Sequence, residues 1–211
     1  MEPKKPLLRG HFHQSMFFIT LGACSLLIAQ CENAKQLASS IIYSIGLLSM
    51  FGISALYHRI NWSPDTRAIL RKLDHSGIFI MIAGSFTPIT MFALSSSSGM
   101  FLLKTIWVVT LLGVLKSVLF AHLNKKINML LYLIAGYLIM PYVSEIGENV
   151  GSVNVWLLVA GGIVYSVGAL SYGFKFPKLS PRVFGYHELF HVFVSIAAII
   201  HFIAIYSIIL H

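Results

Sequence analysis

Residues 187–210, HELFHVFVSIAAIIHFIAIYSIIL, decide the fold, because Glu188 is the only residue in this stretch with a formal charge. A helix needs about 20 mostly apolar residues to cross the hydrocarbon core of a bilayer. The whole 211-residue chain is similar in character, with 57% hydrophobic and 10% charged residues, whereas soluble domains have about 25% charged residues. The composition therefore indicates an integral membrane protein and excludes a cytosolic enzyme, a secreted disulfide scaffold and a disordered regulator.

Six more apolar runs precede this one, and together they predict an all-α fold. We expect a single domain over residues 1–211, built as an integral membrane bundle of seven transmembrane helices. The predicted spans are residues 14–31, 37–57, 75–95, 99–119, 127–143, 153–172 and 187–210. Pro88 and Pro141 lie inside two of the runs and are expected to kink them, which a bundle tolerates when neighbouring helices satisfy the released carbonyls.

The basic residues predict how the bundle is oriented in the membrane. With a cytoplasmic N-terminus, only Lys35 and Lys104 of the 15 Lys and Arg residues fall outside the cell. The positive-inside rule therefore predicts a cytoplasmic N-terminus and, with seven spans, a C-terminus outside. The net charge of +8 then reflects topology, and no nucleic-acid partner is expected. The short chain without an added domain favours a bacterial plasma membrane.

Polar and ionisable residues collect at the cytoplasmic ends of three predicted spans, where such groups are costly and mark functional sites. Ser54 and His58 lie four residues apart at the end of the second span and share one helical face. Asp74 precedes the third span, and His187 and His191 lie four apart at the start of the seventh. Three helices thus bring polar groups to one membrane depth, which is stronger evidence than any single motif.

His58, His187 and His191 are the predicted ligands of a metal ion. Two imidazoles at positions i and i+4 can reach the same ion, and His58 supplies a third ligand. Three protein ligands with an open fourth position are typical of catalytic zinc, which lowers the pKa of a bound water to about 7. Asp74 could accept the proton of that water, and Ser54 could bond a ligand, the water or an oxyanion. The predicted cofactor is Zn²⁺.

Several of these polar residues also have plainer interpretations. Asp74 could cap the N-terminus of the third helix, and Ser54 could bond its own i−4 carbonyl or allow close helix packing. His75 is expected to point elsewhere, since adjacent helical residues diverge by about 100°. His201 lies deeper in the last span and is expected to make a structural contact. The histidines interpreted as interfacial or terminal are His11, His13, His122 and His211.

Residues 187–191 also spell H-E-x-x-H, the signature of zincin metalloproteases, in which Glu188 would be the general base. An intramembrane protease should supply a further ligand from another segment, typically a carboxylate, yet no Asp or Glu follows His191. The motif also begins the last span, which leaves no downstream part of a protease fold. The protease is therefore the weaker interpretation, and Glu188 is expected to face the interface or a neighbouring partner.

Four segments, taken in order, resemble the bacterial hemolysin III family: SALYH (54–58), LDHSGIF (73–79), GSFTP (84–88) and HELFHVFV (187–194). That family is related to the adiponectin and progestin receptors (PAQR) and, more distantly, to alkaline ceramidases. The resemblance covers nearly the whole chain and implies a seven-helix bundle with a cytoplasmic N-terminus. It also implies zinc at three histidines with two further polar residues alongside: His58, His187, His191, Asp74 and Ser54. For the receptor relatives it implies hydrolysis of ceramide-type lipid amides.

The leading hypothesis is a zinc-dependent membrane hydrolase whose partner is a membrane lipid, with the amide or ester substrate entering laterally from the inner leaflet. A non-enzymatic sensor, homeostasis protein or small transporter, in which zinc staples the helices together, is one alternative. A cytolytic protein, as the family name implies, is another. The chain lacks the long cytoplasmic N-terminal domain of the receptors, which argues against a receptor for protein ligands.

Overall fold

A computed structural model describes residues 6–120, 124–180 and 182–210. The chain is 84% helical and the described residues form no strand, which confirms the all-α prediction. In chain order the helices are α1 (His11–Ala29), α2 (Ala34–Arg59), α3 (Pro64–Phe92), α4 (Ser96–Leu119), α5 (Lys125–Tyr137), α6 (Val143–Val150), α7 (Ser152–Phe174) and α8 (Tyr186–Leu210).

Seven helical segments of the described chain are long and apolar enough to cross a membrane. Six are single helices, and the seventh, Lys126–Val150, is a composite of α5, a 3-10 turn at Met140–Tyr142 and α6. Each predicted span overlaps one of the seven, which confirms the seven-helix fold. Pro141 lies in the 3-10 turn, so the predicted interruption of the fifth span is present, whereas α3 continues beyond Pro88 to Phe92.

Helix α3 begins well before residue 75, the predicted start of the third span. Its first residue is Pro64, which suits this position because the first turn has no use for the missing N–H. Ser63 is the N-cap, and its hydroxyl accepts a hydrogen bond from the Thr66 N–H. The N-cap role considered for Asp74 was therefore wrong. Asp74 lies inside the helix, about three turns from its start.

The helices that carry the predicted site form the packed centre of the bundle. Helices α2 and α3 approach each other closely, because a Cβ added to Gly84 would lie only 3.3 Å from the Gly46 Cα atom. Small residues allow such backbone contact between membrane helices, where dispersion is the main attraction. Helix α8 packs most extensively against α7 and also contacts α3, α1 and α2.

The segment before α1 attaches to the connection between α7 and α8. The Leu7 N–H donates to the Arg182 carbonyl oxygen at 3.1 Å. Gly10 has a φ of +81°, and a Cβ there would lie 2.8 Å from the His58 Cβ atom, so this position requires glycine. The N-terminal segment therefore crosses directly over the end of α2 and brings the start of α1 to the predicted site.

Candidate metal centre

The three predicted metal ligands come together in the structure. His58 is in the last turn of α2, and His187 and His191 are in the first two turns of α8. One ring nitrogen of each lies within 4.8 Å of the other two, and the His187 and His58 Nε2 atoms are 3.2 Å apart. Ligand nitrogens about 2.0–2.1 Å from a tetrahedral metal ion lie about 3.3 Å from each other, so the His58–His187 distance fits a shared metal ion and the trio could hold one.

Asp74 and Ser54 lie beside the trio. The Asp74 Oδ2 atom is 3.9 Å from the His58 Nε2 atom, and the Asp74 carboxylate is adjacent to the Ser54 hydroxyl. The Ser54 Oγ atom is 2.9 Å from the Nδ1 atom of His13, so its hydrogen-bond partner is a side chain rather than its own i−4 carbonyl. Both predicted polar neighbours therefore reach the metal-competent centre.

His13 was predicted to be interfacial, and this was wrong. Its side chain is 2% exposed, and its ring stacks on that of His191 with centroids 3.7 Å apart and planes 4° apart. A signal for its position was present in the sequence. His13 begins the buried stripe of α1, which continues through Met16, Thr20, Cys24 and Leu27 at the spacing of one helical face.

The other described histidines lie outside the trio. His75 lines the same cavity as Asp74, but its ring is not one of the three grouped ligands. The His201 Nε2 atom is 3.0 Å from the Leu158 carbonyl oxygen, which is the structural contact predicted for it. His11 lies beside Arg59 near the membrane edge. Outside the described residues lie His122 and His211.

Glu188, the general base of the protease interpretation, has a structural role here. It is 1% exposed, and one carboxylate oxygen pairs with the Arg9 side chain. The other oxygen accepts a hydrogen bond from the Gly185 N–H at 2.8 Å, which closes the start of α8 as in half of a capping box. Both oxygens are occupied away from the trio, so the geometry does not place Glu188 as a base for the centre.

A cavity of about 410 Å³ extends from the centre into the apolar interior of the bundle. Its polar end contains Ser54 and Asp74, and its walls come from α3, α5, α7 and α8. Tyr137 of α5 and Ile163 of α7 line this cavity and are also 46% and 55% exposed on the outer surface. The cavity therefore reaches the side of the bundle that faces lipid.

Seven apolar segments of the described chain that could cross a membrane, together with a largely buried trio of histidines, define a multi-pass membrane protein with a centre that could hold a metal ion. The family model for Haemolysin-III related proteins matches residues 1–202, and the chain belongs to this family. It is 30% identical to Hemolysin-3 of Bacillus cereus, over 90% of this chain and 85% of that protein. This relative supports the predicted bacterial plasma membrane.

Two eukaryotic proteins of PAQR type are also similar. The monocyte to macrophage differentiation factor of Homo sapiens is 23% identical over 92% of this chain and 80% of its own length. The heptahelical transmembrane protein ADIPOR2 of Oryza sativa subsp. japonica is 24% identical over 78% of this chain and 79% of its own length. The resemblance that the sequence motifs indicated is thus confirmed on both its bacterial and its receptor sides.

Proposed function

We propose that this chain is a zinc-dependent integral membrane hydrolase that cleaves an amide or ester bond of a membrane lipid. The observation that carries the proposal is an open trio of imidazoles beside a carboxylate, at the polar end of an apolar cavity. Three imidazoles without a thiolate suit zinc. Three protein ligands, rather than four, leave room for a water molecule or a substrate oxygen.

The residues of the chain have distinct roles in this proposal. His58, His187 and His191 would hold the zinc ion, which when bound supplies Lewis acidity and a lowered pKa for a coordinated water. Asp74 would accept the proton of the attacking water and return it to the departing amine or alcohol. The Ser54 hydroxyl would donate a hydrogen bond to the carbonyl oxygen as negative charge develops on it.

The cavity supports a lipid as the substrate class. An acyl chain could occupy its apolar part while the scissile carbonyl lies at the polar end beside Asp74. Entry would be lateral, past Tyr137 and Ile163, where the cavity lining is exposed to lipid. The distribution of Lys and Arg favours a cytoplasmic N-terminus, which would place the centre at the inner leaflet.

A comparison of two acidic residues on α3 tests the proposal. Asp74→Asn should keep the fold and the zinc but slow hydrolysis by about 10²–10⁴-fold, since a general base is lost. Asp65→Asn, in the exposed first turn of the same helix, should hydrolyse at the wild-type rate. The measurements are zinc per chain and turnover of fluorescent ceramide and ester lipids by purified protein in nanodiscs, with lipidomics of producing cells. Wild-type protein without stoichiometric zinc, or full activity in Asp74→Asn, would overturn the proposal.

A structural role for the metal is the second candidate, favoured by the position of the trio across two helices. A metal ion there would join the end of α2 to the start of α8 and hold the two helices together. In a sensor or homeostasis protein of this kind, Asp74→Asn would bind zinc and keep the whole cellular phenotype. Loss of the phenotype together with lipid turnover would exclude this candidate.

The name of the Bacillus cereus relative, Hemolysin-3, supports a lytic candidate. Purified protein at modest concentration would then release dye from liposomes. Vesicles that stay intact while they hydrolyse lipid would favour the hydrolase.

A further inference from the structure

We propose that His13 is a positioning residue of the metal centre, which fixes the ring plane of His191 and the direction of the Ser54 hydrogen bond. The part of this proposal that concerns Ser54 rests on the proposed function, whereas the part that concerns the orientation of His191 does not. His13 is not among the three residues whose nitrogens group around one point. Its contacts are with a ligand and with the serine beside the ligands.

The stacking contact restrains a ligand ring. The His13 and His191 rings are nearly parallel, with centroids 3.7 Å apart, and the edge of Phe51 packs on His13 with centroids 5.1 Å apart. The nitrogen lone pair of an imidazole lies in the plane of the ring, so a ring that cannot rotate keeps its nitrogen directed at the metal position. Residues that orient ligands in this way typically change metal affinity when they are replaced.

The hydrogen bond to Ser54 has a direction that the neighbouring atoms determine. Ser54 has one proton and two neighbours, the His13 Nδ1 atom at 2.9 Å and the Asp74 carboxylate. An ionised carboxylate only accepts, so beside the ionised Asp74 the serine proton points to Asp74 and the His13 Nδ1–H donates to the Ser54 oxygen. His13 then holds the Ser54 oxygen in place, and the serine proton stays on Asp74 until a substrate carbonyl oxygen with developing negative charge takes its hydrogen bond.

The chain before α1 holds His13 in place. Gly10 lies against His58, and Arg9 pairs with Glu188 at the start of α8. The first turn of α1 is thus attached to both helices that supply ligands. His13 cannot move away from His191 without breaking these contacts.

Two substitutions separate the two roles of His13. His13→Phe keeps an aromatic ring on His191 but loses the hydrogen bond to Ser54. His13→Asn places an amide nitrogen near the position of Nδ1 but removes the stacked ring. The matched controls are His11→Phe and His11→Asn, two residues earlier on the same helix, where the Nδ1 atom lies 3.4 Å from the Arg59 guanidinium.

The measurements are the zinc dissociation constant by chelator competition, kcat and KM for a fluorescent lipid at saturating zinc, and the melting temperature. His13→Phe should keep the zinc affinity within about threefold and lower kcat by about tenfold or more. His13→Asn should weaken zinc about tenfold or more and keep most of kcat once zinc is saturating. The His11 variants should match the wild type.

A general loss of stability cannot lower kcat alone in one variant and zinc affinity alone in the other. If zinc affinity and kcat fall together in both variants, in step with the melting temperature, His13 is only a packing residue and the proposal is overturned. The same holds if both variants behave as wild type. If no lipid is hydrolysed by any form, the proposed function fails, while the zinc affinities still decide whether His13 orients His191.

Discussion

Two parts of the bundle, the packed half (α2, α3 and α8) and the open half (α5 to α7), differ in how much of their surface is buried. In their apolar windows, α2, α3 and α8 are 50%, 61% and 44% buried, whereas the Lys126–Val150 segment is 17% and α7 is 22% buried. The packed half supplies all three imidazoles and their polar neighbours. The open half supplies part of the cavity wall and the exposed residues at the edge of the cavity. Metal ligands need fixed positions, whereas the lipid of the proposed function would need a side of the bundle that can open.

The largest expected effect comes from removing ligands in the packed half. The wild type should bind one zinc ion per chain, and the double variant His187→Ala, His191→Ala should bind none. Chelation should lower the melting temperature of the wild type and leave that of the variant unchanged, because a bound metal adds about 4.1 kcal/mol when present at 1,000 times its Kd. His201→Ala, ten residues further along the same helix, is the control and should retain zinc. Stoichiometric zinc in the double variant would show that the centre lies elsewhere.

The next effect comes from the buried ion pair at the start of α8. Arg9→Met leaves the Glu188 carboxylate, 1% exposed, without its cation. The free energy of unfolding should fall by about 3 kcal/mol, at the low end for a broken buried pair because Arg9 itself is 24% exposed. Arg59 pairs with the exposed Gln14, so Arg59→Met should lower the free energy of unfolding far less. Equal losses in the two variants would mean that the pair adds nothing beyond a surface contact.

Glycines in the two halves give a direct comparison of packing. Gly84→Leu forces apart the backbones of α2 and α3, and we expect it to cost about 1–3 kcal/mol of unfolding free energy. Gly162→Leu, in α7, meets no atom within 4 Å of its new Cβ and should stay within about 0.5 kcal/mol of the wild type. Unfolding in mixed micelles measures both. A Gly162 variant as unstable as the Gly84 variant would contradict the division into halves.

The smallest effect concerns a hydrogen bond within the open half. The Tyr137 hydroxyl lies 2.9 Å from the Ser166 Oγ atom and joins α5 to α7. Tyr137→Phe should cost about 0.6 kcal/mol, the average for such bonds between membrane helices. A double-mutant cycle with Ser166→Ala measures the coupling between the two side chains. A coupling of several kcal/mol would indicate that the open half is as tightly held as the packed half.

Much of the candidate site could be predicted because its residues repeat at helical spacing. Ser54 with His58, and His187 with His191, lie four apart on one helical face, and both pairs reach the centre. Asp74 was placed at the right depth but at the wrong point of its helix, because four of the ten residues before it are charged and the segment was interpreted as a loop. Ser63 and Pro64 are the start signals that outweigh this polarity.

His13 was missed for a different reason. It lies near the start of an apolar run, at the interface where histidines commonly contact water or headgroups. Only its spacing with Met16 and Thr20 indicates a buried face. Nothing local in the sequence shows that this face packs on His191, since the two residues lie at opposite ends of the chain.

The sequence by itself determined that this protein lies in a membrane, how many times it crosses that membrane and the family to which it belongs. Insertion into a bilayer depends on each apolar run separately, so it can be inferred one segment at a time. Only the tertiary structure decided which rings meet, that Glu188 pairs with Arg9, and that His13 stacks on His191. These contacts depend on the rotation and depth of helices packed against one another, and no single segment carries that information.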